Sequence, residues 1–332
     1  MKRPRVVIVD SDLPGDTGES DLKEHGFEVA RAKTRSTRDI LEAAHGADAL
    51  IVQWQHIGPD LMDQLPDLRL ISRLGIGYDM VDVDAATERG IAVANTPAYC
   101  IEEVATHTLA LALSLARGVH RYDRSVRNGA WQAASGRPAA MRPSSTRALV
   151  VGFGRIGSAV ARSLAAIGFD VKIHDPFVSA EQIRREGFHP VELDAGLREC
   201  ELVTLHLPLT TETRHLLGRE RLEQLPVGAY VVNTCRGGLI DEAALVDLLR
   251  EGHLGGAGLD VFEEEPLPPD HPLLQLDQVI ITPHAAWYSE PAVVDLPRHA
   301  ALNVIQFLRG DHVGSIVNRD YTRFATSEAV SS

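Results

Sequence analysis

Short apolar runs at 6–9, 27–30, 49–53 and 70–72 alternate with polar stretches of helical length, such as 38–45. That alternation predicts βαβ units and a parallel sheet. At 101–117 apolar positions occur nearly all the way round a helix. Such a helix is expected to be buried on several sides, wedged between domains or between subunits. The stretch 128–146 is polar, contains Gly, Pro and Ser, and reads as a loop carrying Trp131. Strand-like runs then resume at 148–151, 171–174, 202–205, 230–233, 256–259 and 279–281. Asp241 is placed to cap a helix over 242–250, with Gly252 just beyond its end. A final helix is predicted over 292–308, after Pro291, followed by a short strand-like run and a polar tail, 322–332.

The 332 residues suffice for two ordinary domains, and 44% hydrophobic with 24% charged residues is a globular composition. A net charge of −13, with Lys and Arg scattered, argues against a nucleic-acid partner, because phosphate binding needs clustered cations. Cys100, Cys200 and Cys235 are odd in number and widely spaced, which fits neither a disulfide framework nor a thiolate zinc site. No His pair backed by a carboxylate stands at helical spacing, so no metal is expected. The apolar run at 6–9 is too short for a signal-peptide core and that at 109–116 too short to span a bilayer. The expectation is a soluble, cytoplasmic protein with no membrane partner.

Gly152-Phe-Gly-Arg-Ile-Gly157 follows one apolar run and opens a helical pattern over 156–167. The next strand-like run ends at Asp175, eighteen residues after the last glycine. In that setting Gly152 permits a tight turn, Gly154 lets backbone approach a pyrophosphate, and Gly157 lets helix pack on strand. Backbone amides at the helix start, around Arg155 and Ile156, would face the phosphates. Asp175 would accept from both ribose hydroxyls and repel a 2′-phosphate, which favours NAD over NADP. A flavin usually places this motif at the extreme N-terminus, whereas about 150 residues precede it here.

Further motifs follow in order: His206-Leu-Pro-Leu-Thr210, Asn233-Thr-Cys-Arg-Gly-Gly-Leu-Ile-Asp241, Gly258-Leu-Asp-Val-Phe-Glu-Glu-Glu-Pro266 and Thr282-Pro-His-Ala-Ala-Trp287. With Arg73-Leu-Gly-Ile-Gly-Tyr-Asp79 near the start, the chain resembles the D-isomer-specific 2-hydroxyacid dehydrogenases over nearly its whole length. The resemblance implies that Arg236 binds the substrate carboxylate, a task suited to a planar, permanently charged fork. It implies that His284 is the general acid/base and that Glu265 hydrogen-bonds it and favours its protonated form. Arg73, Leu74 and Gly75 match the substrate-carboxylate loop, whose backbone amides cradle the anion. Asp260 matches the residue that holds the nicotinamide carboxamide. His206, Pro208, Thr213, Thr234 and Cys235 match cofactor-lining positions, Cys235 by backbone only.

The Thr282–Glu290 segment is similar to the branch containing the corepressor C-terminal-binding protein, where an arginine matches Arg73 and a tryptophan matches Trp287, both facing the 2-oxo acid. The His206–Thr213 segment instead follows the metabolic dehydrogenases. The alternative to an enzyme is therefore an NAD(H)-sensing regulator with weak activity. A different substrate in the same fold, such as formate or phosphite, also stays open. The implied architecture is two α/β domains, each a doubly wound parallel sheet. A Rossmann cofactor domain (99–292) is inserted into a flavodoxin-like substrate domain (1–98 and 293–332). A homodimer is implied as well, with helix 101–117 and the Trp131 loop as contact surfaces.

Overall fold

The computed structural model describes residues 3–16, 18–133 and 140–323. The middle of the 128–146 loop (134–139) and the tail beyond 323 lie outside the described residues. The chain forms two units. One comprises the residues up to Cys100 together with those from Tyr288 onward, and the other is Ile101–Trp287.

The first unit runs β1 (Arg5–Ile8), α1 (Glu19–Glu24), β2 (Glu28–Arg31), α2 (Thr37–Ala44), β3 (Ala49–Val52), α3 (Pro59–Met62), β4 (Leu70–Arg73), α4 (Val83–Glu88) and β5 (Ala92–Ala94). Its strands pair in parallel in the order β2-β1-β3-β4-β5, the flavodoxin-like arrangement. β3 and β4 are buried along their whole length, so they read as continuous apolar runs rather than as alternation. The expected strand at 70–72 is one residue longer, which makes Arg73 its last residue.

The second unit opens with α5 (Ile101–Arg117) and α6 (Val119–Arg127) and continues β6 (Arg147–Val151), α7 (Arg155–Ile167), β7 (Asp170–His174), α8 (Ala180–Arg185), β8 (His189–Pro190), α9 (Leu193–Glu199) and β9 (Leu202–Leu205). It then runs α10 (Arg219–Glu223), β10 (Tyr230–Asn233), α11 (Glu242–Arg250), β11 (Gly256–Leu259) and β12 (Val279–Ile281). The seven strands are all parallel, in the order β12-β11-β10-β9-β6-β7-β8, a Rossmann sheet whose order reverses between β6 and β9. α5 buries one broad face, through Val104, Thr108, Leu111, Ala112 and Leu115, rather than its whole circumference within this unit. Gly256 and Gly258 let it lie close on β11, since a Cβ on either would press on Leu111 or Leu115.

α12 (Glu290–Arg309) returns the chain to the first unit, where the Ser72 hydroxyl donates to Ala300 O at 3.0 Å. It starts two residues earlier than expected because Ser289 caps Ala292 N–H and Pro291 falls in the first turn, where a missing N–H does no harm. The predicted run after it contributes only a single antiparallel bridge, Ala94 to Ile316. Among the described residues no helix is long and apolar enough to cross a membrane.

Candidate functional site

The glycine-rich turn follows β6 directly. Gly152 has φ +96°, and a Cβ there would strike the His206 carbonyl. Gly154 stands just before α7 with nothing near the Cβ it lacks, while Gly157 packs on Gly152 O. This open backbone at the start of a thirteen-residue helix is what a dinucleotide pyrophosphate requires. Arg155 is exposed in the first turn and Ile156 packs on the core.

Asp175 directly follows β7, its carboxylate accepting from Phe153 N at 2.7 Å and Phe177 N at 2.8 Å. Those bonds tie the acid to the glycine turn and leave lone pairs for further donors. The His206 imidazole meets Thr204 Oγ1 at 2.9 Å, and burial drives its pKa down to about 3, so it is neutral. Thr213 braces the following loop by donating to Pro208 O at 2.8 Å and accepting from Thr210 N at 2.7 Å.

β10 delivers Arg236 through a turn held by Asn233, whose amide accepts from Cys235 N at 3.0 Å and donates to Arg236 O at 2.8 Å. Gly237 lies so close to Phe262 and Glu263 that a Cβ would collide with their backbone. The Arg236 loop and the acidic loop are thus packed main chain to main chain. Cys235 donates its thiol to Leu205 O at 2.8 Å, and burial pushes that thiol up to about 12, which leaves it protonated and inert.

β12 delivers His284, whose Nδ1 lies 2.6 Å from Glu265 Oε2. His284 has φ +52°, a left-handed conformation unusual for a residue with a side chain, and its N–H donates to Asp260 O at 2.8 Å. Burial alone would raise the Glu265 carboxyl. The hydrogen bond and charge of His284, with Phe262 N–H and Arg236, hold it instead below its ordinary value.

Asp260 is fully buried. Its Oδ1 accepts from Thr282 Oγ1 (2.6 Å) and Ala285 N (2.8 Å), and its Oδ2 from Ala286 N (2.9 Å). Three donors from the His284 segment already occupy it. Trp287, half-buried, closes that segment.

In the first unit, the Arg73 guanidinium lies 5.7 Å from the Trp54 ring and donates to Leu74 O at 2.6 Å. Gly75 has φ +146°, and a Cβ there would fall on Arg73 Nη1. The expected cradle from Leu74 and Gly75 amides needs correction. Leu74 N–H donates to Val52 O at 2.8 Å and Gly75 N–H to Thr96 Oγ1 at 2.8 Å, so both are spent within the fold.

Several neighbours were not legible in the sequence: Trp54, Thr96, His107, Thr108 and Glu242. Thr108 lies 2.8 Å from Thr234, so Thr234 is turned toward α5. Glu242, at the start of α11, accepts from Glu263 N at 2.6 Å. Burial, with repulsion from Glu263 and Glu265, pushes its carboxyl up to about 7.

Residues 109–286 match the NAD-binding domain of the D-isomer-specific 2-hydroxyacid dehydrogenases. A glyoxylate reductase from Korarchaeum cryptofilum is 38% identical over 97% of this chain and 98% of its own length. A D-3-phosphoglycerate dehydrogenase from Archaeoglobus fulgidus is 35% identical over 90% of the chain, which spans 56% of that protein. The structure of an NADPH-dependent glyoxylate/hydroxypyruvate reductase from Sinorhizobium meliloti, in complex with NADP and malonate, superposes with a TM-score of 0.86. It is 29% identical and covers 98% of this chain and 99% of its own. The chain belongs to the D-isomer-specific 2-hydroxyacid dehydrogenase family and is an NAD-dependent enzyme of that family.

Proposed function

We propose that this dehydrogenase reduces a 2-oxo acid to the (R)-2-hydroxy acid, with Arg236 binding the carboxylate and His284, paired with Glu265, as the proton donor. The 2.6 Å contact between His284 Nδ1 and Glu265 carries the reading. A carboxylate at Nδ1 holds a proton on that nitrogen and leaves Nε2 as the position that gives and retakes a proton. Arg236, whose Nη1 donates to Cys235 O at 2.7 Å, brings a planar, permanent cation that matches a planar 2-oxo acid and polarises its carbonyl. A bound nicotinamide would supply the hydride for the carbonyl carbon. His284 Nε2 gives its proton to the carbonyl oxygen, and in the reverse direction takes it back.

Asp175 supports NAD over NADP, because a 2′-phosphate would meet its negative charge. In the first unit the anion-binding amides shift to Ile76 and Gly77, for which no hydrogen bond is formed among the described residues. Arg73 stands beside them. Trp287 follows the proposed acid by three residues and offers an apolar wall to the substrate side chain. The exposed Tyr122, Val126 and Trp131 support a homodimer, which sedimentation would test.

The deciding experiment is NADH consumption with glyoxylate, pyruvate, hydroxypyruvate, 4-methylthio-2-oxobutyrate and phenylpyruvate, on wild type, Arg236→Ala and His284→Ala. Turnover of at least one acid that both variants lose supports the assignment. Full activity in either variant overturns it.

A further inference from the structure

Two adjacent residues of α5 each reach a different loop of the site. Thr108 meets Thr234, at the root of the Arg236 loop, and His107 Nε2 lies 3.0 Å from Thr282 Oγ1, two residues before His284. Thr282 Oγ1 stands 2.6 Å from Asp260 Oδ1, and a carboxylate only accepts, so the single hydroxyl proton points at Asp260. Thr282 Oγ1 can then only accept from the ring, and His107 must carry its proton on Nε2. The same Nε2 lies 3.7 Å from Asp260 Oδ1. The same carboxylate takes the amides of Ala285 and Ala286, while Asp260 O takes the amide of His284. A left-handed His284 is unfavourable in isolation and persists because these bonds over-determine the turn.

We propose that His107 is a positioning residue for the reaction: its Nε2–H fixes the Thr282 hydroxyl onto Asp260, and Asp260 then holds the turn that presents His284. The inference rests on His284 being the proton donor. His107 touches none of the reacting groups in this chain of contacts. It acts through two others.

The test is a mutant cycle on the full-length enzyme with NADH and its best 2-oxo acid. His107→Leu removes the donor, and His107→Gln keeps an N–H of similar reach. The expected result is a kcat lowered about tenfold in His107→Leu, with KM for NADH and Tm little changed, and recovery of most of that loss in His107→Gln. In a His284→Ala background the Leu substitution should have no further effect on kcat, because its route runs through the missing imidazole.

Wild-type kcat in His107→Leu, beside an inactive His284→Ala, overturns the positioning role and leaves the proton donor standing. An undiminished tenfold loss in the His284→Ala background, a rise in the NADH KM with kcat unchanged, or a failure of Gln to rescue also overturns it. Full activity in His284→Ala removes the proton donor itself, and the His107 role falls with it.

Discussion

Glu265 and His284 lie nineteen positions apart in the chain and come from different loops, yet their side chains meet at 2.6 Å. The second oxygen of the same carboxylate accepts from Phe262 N at 2.9 Å, so the acid is fixed at both ends before it touches the imidazole. In the proposed reaction, a pair held this way would need little reorganisation as a proton left His284.

Removing either partner should therefore be graded. His284→Ala should lower kcat by about 10²–10⁴-fold with a small change in KM, the range for a positioned acid. Glu265→Gln keeps an acceptor for Nδ1–H but loses the charge, and should lower kcat by about tenfold, the difference between a charge-assisted and a neutral hydrogen bond. Arg236→Ala should raise KM as well as lower kcat, since the proposed carboxylate contact would act on bound substrate and transition state alike. Steady-state kinetics on the three variants check the order.

Asp175→Ala should weaken NADH binding and reduce discrimination against NADPH, because both an acceptor and a repulsive charge disappear. Its two backbone bonds, to Phe153 and Phe177, also go, so part of the loss reflects a loosened turn. The ratio of kcat/KM for NADH and NADPH separates the two effects. A looser turn weakens both cofactors, whereas the lost charge changes the ratio. A wild type that prefers NADPH would show that Asp175 is not at the ribose.

Glu242 predicts a pH dependence of stability. Its carboxyl titrates near 4.5 in the unfolded chain and at about 7 when folded. The folded state therefore holds this proton more tightly. The stabilisation is complete below pH 4.5 and is lost as pH rises through about 7, by up to roughly 3 kcal/mol. Glu242→Gln keeps an acceptor for Glu263 N–H without the ionisation. Urea unfolding should find it equal to wild type near pH 4 and more stable at pH 8. Parallel pH curves for the two proteins would refute the assignment.

Trp287→Ala should discriminate among substrates. If the ring is the side-chain wall, kcat/KM for phenylpyruvate and 4-methylthio-2-oxobutyrate should fall by tenfold or more while pyruvate changes little, at about 0.8 kcal/mol per buried methylene. An equal loss for all three acids would mean that Trp287 packs beneath the loop as core.

The parallel strands were legible almost to the residue, at 202–205, 230–233, 256–259 and 279–281, because a strand covered on both faces is a continuous apolar run. β5 and β8, at three and two residues, are too short to form such a run. α6 has no buried residue and so shows no core-facing stripe within the chain. In the site, the glycine turn, Asp175, Arg236, Glu265 and His284 all stand in local motifs, and motifs survive in one dimension. Which amides of the Arg73 loop stay open was not legible, because Leu74 and Gly75 are spent on Val52 and Thr96, some twenty positions away. His107 and Thr282 are separated by 175 positions, and nothing local marks either as the other's partner.

The packing of Arg73 against Gly75 bears on how this enzyme can be redesigned. A methyl group at 75 would occupy the volume of the guanidinium, so Gly75→Ala evicts the arginine, while shortening Arg73 alone leaves a hole beneath a backbone conformation that only glycine tolerates. Neither position can drift independently. A library over both positions together is therefore expected to give more folded variants at 75 than one that varies 75 alone. On the proposed reading of Arg73 as a substrate anchor, a change of anchor is expected to need both positions at once.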